Sequence, residues 1–200
     1  MREIVAGIHT WSVYNQEKGL DFNGHLVATD GGCVLIDPPA MSPEDMARLE
    51  ALGPVESVII TNCHHTRDAM TFAATFQARI LLPEKDAASI PTAVRLGGTF
   101  RPGELLPGGL LVVGLADQKS PGESALVCGR AGALILGDAL IGKPPGALSM
   151  LPPAKYADAA KARAGLRALL AHTFDAVLVG DGVSIPTGGR KALESFLARD

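Results

Sequence analysis

Three apolar runs in this chain stop on polar or ionisable residues. Val58-Ile59-Ile60 runs into Thr61-Asn62-Cys63-His64-His65-Thr66-Arg67-Asp68, Ala133-Leu134-Ile135-Leu136 into Gly137-Asp138, and Ala176-Val177-Leu178-Val179 into Gly180-Asp181. Short continuous apolar runs read as strands covered on both faces, the kind found in sheets with helical crossovers. Proteins of that class build their sites where strands end, so the pattern predicts an α/β fold with a polar, titratable edge. Two adjacent histidines alone would equally well open an ordinary helix, whose first turn favours polar side chains. The same kind of strand end, met three times, is what points to a site.

The remaining periodicities fit around these strands. Strands are predicted around 3–8, 10–14, 24–29 and 32–36, the last two joined as a hairpin over Asp30-Gly31-Gly32 and followed by an extended Asp37-Pro38-Pro39 exit. Ser42 and Pro43, then Met46, Leu49 and Leu52 at helical spacing, predict a helix from about 43 to 52 closed by Gly53-Pro54. Thr66 is placed to cap a helix carrying Ala69, Phe72, Ala73 and Phe76 on one face, with a strand from Arg79 to Leu82 behind it. Gly97 to Gly109 reads as a connector, and strands at 110–115, 124–128 and 133–136 follow. An Ala-rich helix over about 157–171, the strand at 176–179 and a helix from Pro186 to about 198 close the chain. Residues 1–200 are thus expected to form one domain of two similarly ordered halves, about 1–96 and 109–200, packed as two face-to-face sheets with helices outside.

Composition narrows the function. A formal charge of −3 with interspersed signs and no basic stripe gives no electrostatic reason to expect nucleic acid or an anionic membrane, and a small molecule or another protein is the expected partner. No apolar run approaches the ~18 residues of a membrane span, and the start at Met1-Arg2-Glu3-Ile4-Val5 lacks an apolar signal core, so a soluble cytoplasmic protein is expected. Cys33, Cys63 and Cys128 are widely spaced and odd in number, which fits reduced thiols. Phosphate-binding glycine loops and the serine-hydrolase elbow are missing. His9, His25 and His172 read as structural, with His25 on the less buried face of its strand.

In order, the hairpin Asn23 to Asp37, the cluster from Thr61, and Gly137-Asp138 give the chain a resemblance to the metallo-β-lactamase superfamily over roughly Asn23 to Asp181. The resemblance implies a four-layer αββα sandwich. It also implies the pattern Thr-His-x-His-x-Asp-His, then Pro-Gly-His, Gly-Asp and a final Gly-His, which together hold one or two metal ions. Here Asn62 stands in the place of the first His, His64 matches the second, Thr66 replaces the Asp and Arg67 the third His, while a slip of one residue brings in His65. Glu123 in Ser120-Pro121-Gly122-Glu123 stands for the next His, Asp138 keeps the bridging Asp, and Asp181 takes the place of the last His.

Glu123, Asp138 and Asp181 gathered in one cleft require a cation among them, because buried carboxylates without a partner are costly. One solution is a single Zn²⁺, Mn²⁺ or Fe²⁺ on His64 and/or His65 with Glu123, Asp138 and Asp181. That would suit hydrolysis of a small ester, thioester or lactone by a metal-bound water, with Asp138 and Arg67 as the catalytic groups. The other is no metal: Arg67, whose planar fork can pair two carboxylates, supplies the charge, and the cleft binds a polar or anionic ligand or a protein. Asn62, Cys63, Thr66, Asp68 and Lys143 are the further cleft candidates. A Cys63–His64 dyad is not expected, since neighbours at a strand end point to different sides. The sequence leaves the metal and the metal-free reading both open.

Overall fold

The structure is a computed structural model that describes residues 1–91 and 97–199. The expected end of the first half, near 96, lies outside the described residues, as does Asp200.

Seven strands form one sheet in chain order: β1 (Arg2–Val5), β2 (Ile8–Asn15), β3 (Leu20–Ala28), β4 (Cys33–Ile36), β5 (Val55–Ile59), β6 (Arg79–Pro83) and β7 (Gly98–Phe100). Five form the other: β8 (Leu105–Leu106), β9 (Leu110–Gly114), β10 (Ser124–Cys128), β11 (Ala133–Leu136) and β12 (Ala176–Val179), in the order β12-β11-β10-β9-β8. Helices α1 (Pro43–Ala51), α2 (Ala69–Phe76), α3 (Ala159–Gly165) and α4 (Gly189–Leu197) complete the fold.

Alternation along the strands builds the layers. Val34, Ile36, Ile59, Ile135 and Leu178 point into the core between the sheets. Cys33, Leu35, Val58 and Ile60 point the other way, onto Leu49 of α1 and Phe72 of α2. Leu134, Leu136, Val177 and Val179 meet Leu166, Leu193 and Phe196 on the opposite outer face. Period-two strands with both faces buried give three apolar layers and four structural ones, the αββα sandwich.

Several local expectations are corrected. The first strands divide at Gly7, whose φ of +75° makes the turn there, rather than near residue 9. The 97–109 connector contains β7 and β8. The Ala-rich helix stops at Gly165 and continues as a 3-10 turn through Ala171, and the last helix starts at Gly189, three residues after Pro186. Asp68, without a side-chain bond, occupies the cap position of α2 that Thr66 was expected to fill. His25 is buried, because β3 is an inner strand covered on both faces.

The pairing explains where polar residues gather. β4 runs parallel to β5, and β11 parallel to β12. Their four C-terminal ends deliver Asp37, the 61–68 segment, Asp138 and Asp181 to one edge of the sandwich.

Candidate functional site

The turn after β5 decides which histidine meets the strand-end carboxylates. The Thr61 amide donates to Asp37 Oδ1 (2.8 Å) and its hydroxyl to Asp37 Oδ2 (2.6 Å), tying the ends of two parallel strands together. Asn62 Oδ1 accepts from the His64 amide (2.8 Å), and its carbonyl accepts from the His65 amide (3.1 Å). This side-chain-mimicked turn reverses the chain, leaving His64 exposed and His65 buried. Arg67 then adopts a positive φ of 37°, and the Asp68 amide donates to the Pro38 carbonyl (3.0 Å), which leads the chain into α2.

His65 Nδ1 lies 2.8 Å from Asp37 Oδ2, and Nε2 lies 3.6 Å from Asp138 Oδ1. Lys119 Nζ donates to the other oxygen, Asp138 Oδ2, at 2.7 Å. Arg67 donates to Asp181 Oδ1 (2.7 Å) and to the carbonyls of Asn23 (2.6 Å), Asp37 (3.2 Å) and Gly180 (3.1 Å), and its guanidinium faces the Phe22 ring 4.9 Å away. Arg67 therefore pairs with one carboxylate and three carbonyls, not with two carboxylates.

The glycine of each Gly-Asp pair is fixed by this packing. A Cβ on Gly180 would stand 2.6 Å from His65 Cε1, and one on Gly137 would stand 2.3 Å from Thr61 Oγ1 and 2.8 Å from Glu123 Oε1. Only a residue without a side chain lets the strand ends close over the cluster.

Electrostatics follow from the contacts. Burial and Arg67 oppose a charge on His65, but Asp37 and Asp138 outweigh them and raise its pKa to about 10. Burial alone would raise Asp37 and Asp138; His65 and Arg67 hold the first below the usual carboxylate range, and His65 and Lys119 hold the second well below it. Burial pushes Asp181 up, partly countered by His65 and Arg67. Burial, and next the Asp138 charge, raise the Glu123 pKa to about 8, which favours the neutral acid. Asn62 Nδ2 and Glu123 Oε2 have no hydrogen-bond partner among the described residues.

Other candidates fall outside this constellation. Lys143 reaches the Gly19 carbonyl (3.5 Å) instead of the carboxylates. Asp68 has no side-chain bond to the cleft groups, and Thr66 takes part through its carbonyl, which accepts from the Ala69 amide (2.8 Å). Cys63 Sγ faces Ser120 Oγ at 3.8 Å rather than an imidazole, and burial with the nearby Asp86 raises its thiol pKa, so no Cys-His dyad forms. The Cys63 thiol is therefore not an activated nucleophile.

Sequence reasoning overlooked Asp37, Lys119 and Asp86. Val34-Leu35-Ile36-Asp37 repeats the apolar-run-to-carboxylate pattern and could have been found by it. Lys119 lies in a loop, four residues before Glu123, with no periodic signal. Asp86 is buried and holds the Cys63 amide (2.8 Å), the Gly122 amide (2.8 Å) and the Ser120 hydroxyl, which joins the 61–65 and 120–123 segments.

One donor atom each from His65, Asp138 and Asp181 lies within 4.8 Å of the others, a spacing compatible with a shared ion. His64 and Glu123 are not in that set. The chemistry of the donors does not fit a divalent ion as they stand. Asp138 spends one oxygen on His65 and one on Lys119, Asp181 is paired with Arg67, and the carboxylates Asp37, Asp138 and Asp181 face three cations of the chain, His65, Lys119 and Arg67. A divalent ion placed among them would meet uncompensated positive charge.

The family model described as the metallo-beta-lactamase superfamily matches residues 4–199, and the chain belongs to that superfamily. A metallo-beta-lactamase from Pontibacter korlensis superposes with a TM-score of 0.73 at 18% identity over 96% of this chain and 94% of its own. The metallo-beta-lactamase FIM-1 from Pseudomonas aeruginosa, solved in a mono-zinc form, gives 0.72 at 12% identity over 98% and 95%. A metallo-beta-lactamase family protein from Thermus thermophilus gives 0.68 at 18% over 96% and 79%. At these identities the likeness concerns the fold. No curated protein sequence matches the chain. Among the described residues no helix is long and apolar enough to cross a membrane.

Proposed function

We propose that this chain is a metal-independent member of its superfamily that binds a small anionic or polar ligand at the mouth of the cleft. The observation that carries the reading is the internal pairing of the three strand-end carboxylates: Asp37 with His65, Asp138 with Lys119 and Asp181 with Arg67. A chain that supplies its own cations at these positions has met the electrostatic need that a metal would otherwise meet.

Two basic side chains of the cluster reach solvent, His64 and Lys119. An ammonium has three N–H donors, and Asp138 is the one acceptor the structure gives Lys119 among the described residues. A ligand carboxylate or phosphate can therefore share the Lys119 ammonium without breaking the buried pair. Hydrolysis of a small ester, thioester or lactone on a single ion is favoured by one observation, the close approach of donor atoms from His65, Asp138 and Asp181.

Thermal-shift screening of small carboxylates and phosphates against the protein before and after chelator treatment tests the proposal. A hit should persist after chelation and weaken at least about tenfold in Lys119→Ala, the loss of one charge-assisted hydrogen bond. A ligand whose binding disappears on chelation and returns with a metal would overturn it.

A further inference from the structure

We propose that Lys119 is the side chain that shuts a latent divalent-cation site composed of His65, Asp138 and Asp181. The inference rests on the metal-independent reading above and says which residue enforces it.

The three donors are already gathered, with one atom from each inside 4.8 Å of the others. His65 is also oriented as a ligand would be. Its Nδ1 is held by Asp37 Oδ2 at 2.8 Å, and that carboxylate is fixed in turn by the Thr61 amide and hydroxyl. An imidazole whose first nitrogen is anchored on a carboxylate presents its second nitrogen in a set direction, the arrangement that orients metal-bound histidines. Here Nε2 points at Asp138 Oδ1, 3.6 Å away. The absence of a Cβ at Gly180 makes room for this ring.

His65, the third cation of the cluster, becomes a ligand by releasing its Nε2 proton to solvent as the ion enters; the other two cations stand against the donors and are held differently. Arg67 has four acceptors, three of them backbone carbonyls on β3 and the β4 and β12 exits, and its side chain is only 8% exposed. It belongs to the framework and binds Asp181 through Oδ1 alone, so Oδ2 lies outside that pair. Lys119 has a single acceptor among the described residues, Asp138 Oδ2, and is 23% exposed on a flexible four-carbon stem. Its ammonium is bonded to Asp138, one of the three donors, and like-charge repulsion excludes a divalent ion next to it. Lys119 is thus the removable plug, and Arg67 a fixed neighbour.

The test is titration of purified, chelator-treated full-length chain with Co²⁺, read by visible absorption, and with Zn²⁺, read by the melting temperature. Wild type should show neither a saturable Co²⁺ band nor a Zn²⁺-dependent shift. Lys119→Met should bind one equivalent of either ion at least about a hundredfold more tightly than wild type, and Lys119→Met with Asp138→Asn should lose it. Lys119→Gln, which keeps a polar group of similar length, is measured in parallel and should also bind if it melts cooperatively. If both Lys119 variants fold and bind no better than wild type, the plug is refuted while the metal-independent reading stands. If wild type itself takes up one tight equivalent, the metal-independent reading fails and the plug fails with it.

Discussion

Each charged residue of the cleft edge is explained by its nearest partner, and removal of a partner has a definite cost. Asp37 neutralises His65 and accepts from Thr61 twice, all in a buried setting. Replacing Asp37 by Asn leaves His65 short of its main counter-charge, and the expected loss is about 3–5 kcal/mol, the range for stripping one member of a buried pair. Urea unfolding checks it, and a loss below about 1 kcal/mol would contradict the assignment. Gly180→Ala should cost about 1–3 kcal/mol through the clash with His65, whereas Gly129→Ala, with no atom within 4 Å of the added carbon, should stay within about half a kcal/mol. Residues like these were partly legible. His65 and Asp138 stood at strand ends, and the Gly-Asp pairs announced themselves, but choosing His65 over His64 needed the turn built by Asn62. Lys119 has no signature in a one-dimensional pattern, because a loop lysine beside a turn reads the same whether it is solvated or folded inward.

At the scale of elements, Arg67 works as a clasp between the two sheets. Its four acceptors come from the Asn23 strand, the β4 exit and the β12 exit, so one side chain fixes the relative position of both sheets at the cleft. Arg67→Met should destabilise the protein by about 3 kcal/mol or more, and Arg67→Lys should recover little of it, since a point charge cannot satisfy four acceptors in a plane. Amide hydrogen exchange should then quicken in β3 and β12 before it quickens in β9 and β10, and uniform acceleration would argue against a local clasp. The strands and their order were readable because apolar runs of four to five residues between glycines and prolines leave few alternatives. The short strands β7 and β8 were hidden in a Gly/Pro-rich stretch, where tertiary pairing overrides local preference. The break at Gly165 in the Ala-rich helix was masked by alanine's high helix propensity.

For the whole molecule, the buried ionisable groups set the dependence of stability on pH. His25 is buried neutral, with burial, partly offset by its bond to the Val179 carbonyl, lowering its pKa to about 4. The unfolded chain takes up that proton from about 6.5 downward, so His25 reduces stability as pH falls from about 6.5 to 4, by roughly 3 kcal/mol in all. Glu123, raised to about 8, and His65, raised to about 10, act in the other direction. Each keeps a proton in the folded state that the unfolded chain has released, above about 4.5 and 6.5 respectively, so stability falls as pH rises from each unfolded value to the folded one. The expected profile is a maximum on the acid side of neutral, a steep decline from about 6.5 to 8 and a shallower one to about 10. Urea midpoints at about pH 5.5, 7.5 and 9 measure it, and a midpoint that rises over that series would contradict the protonation states assigned to Glu123 and His65.

Metal independence is decided by elemental analysis of the untagged protein, with its melting temperature measured before and after chelation. The protein should carry no transition metal near one equivalent and keep its melting temperature after chelation; close to one equivalent of metal, whose removal lowers the melting temperature, would contradict metal independence.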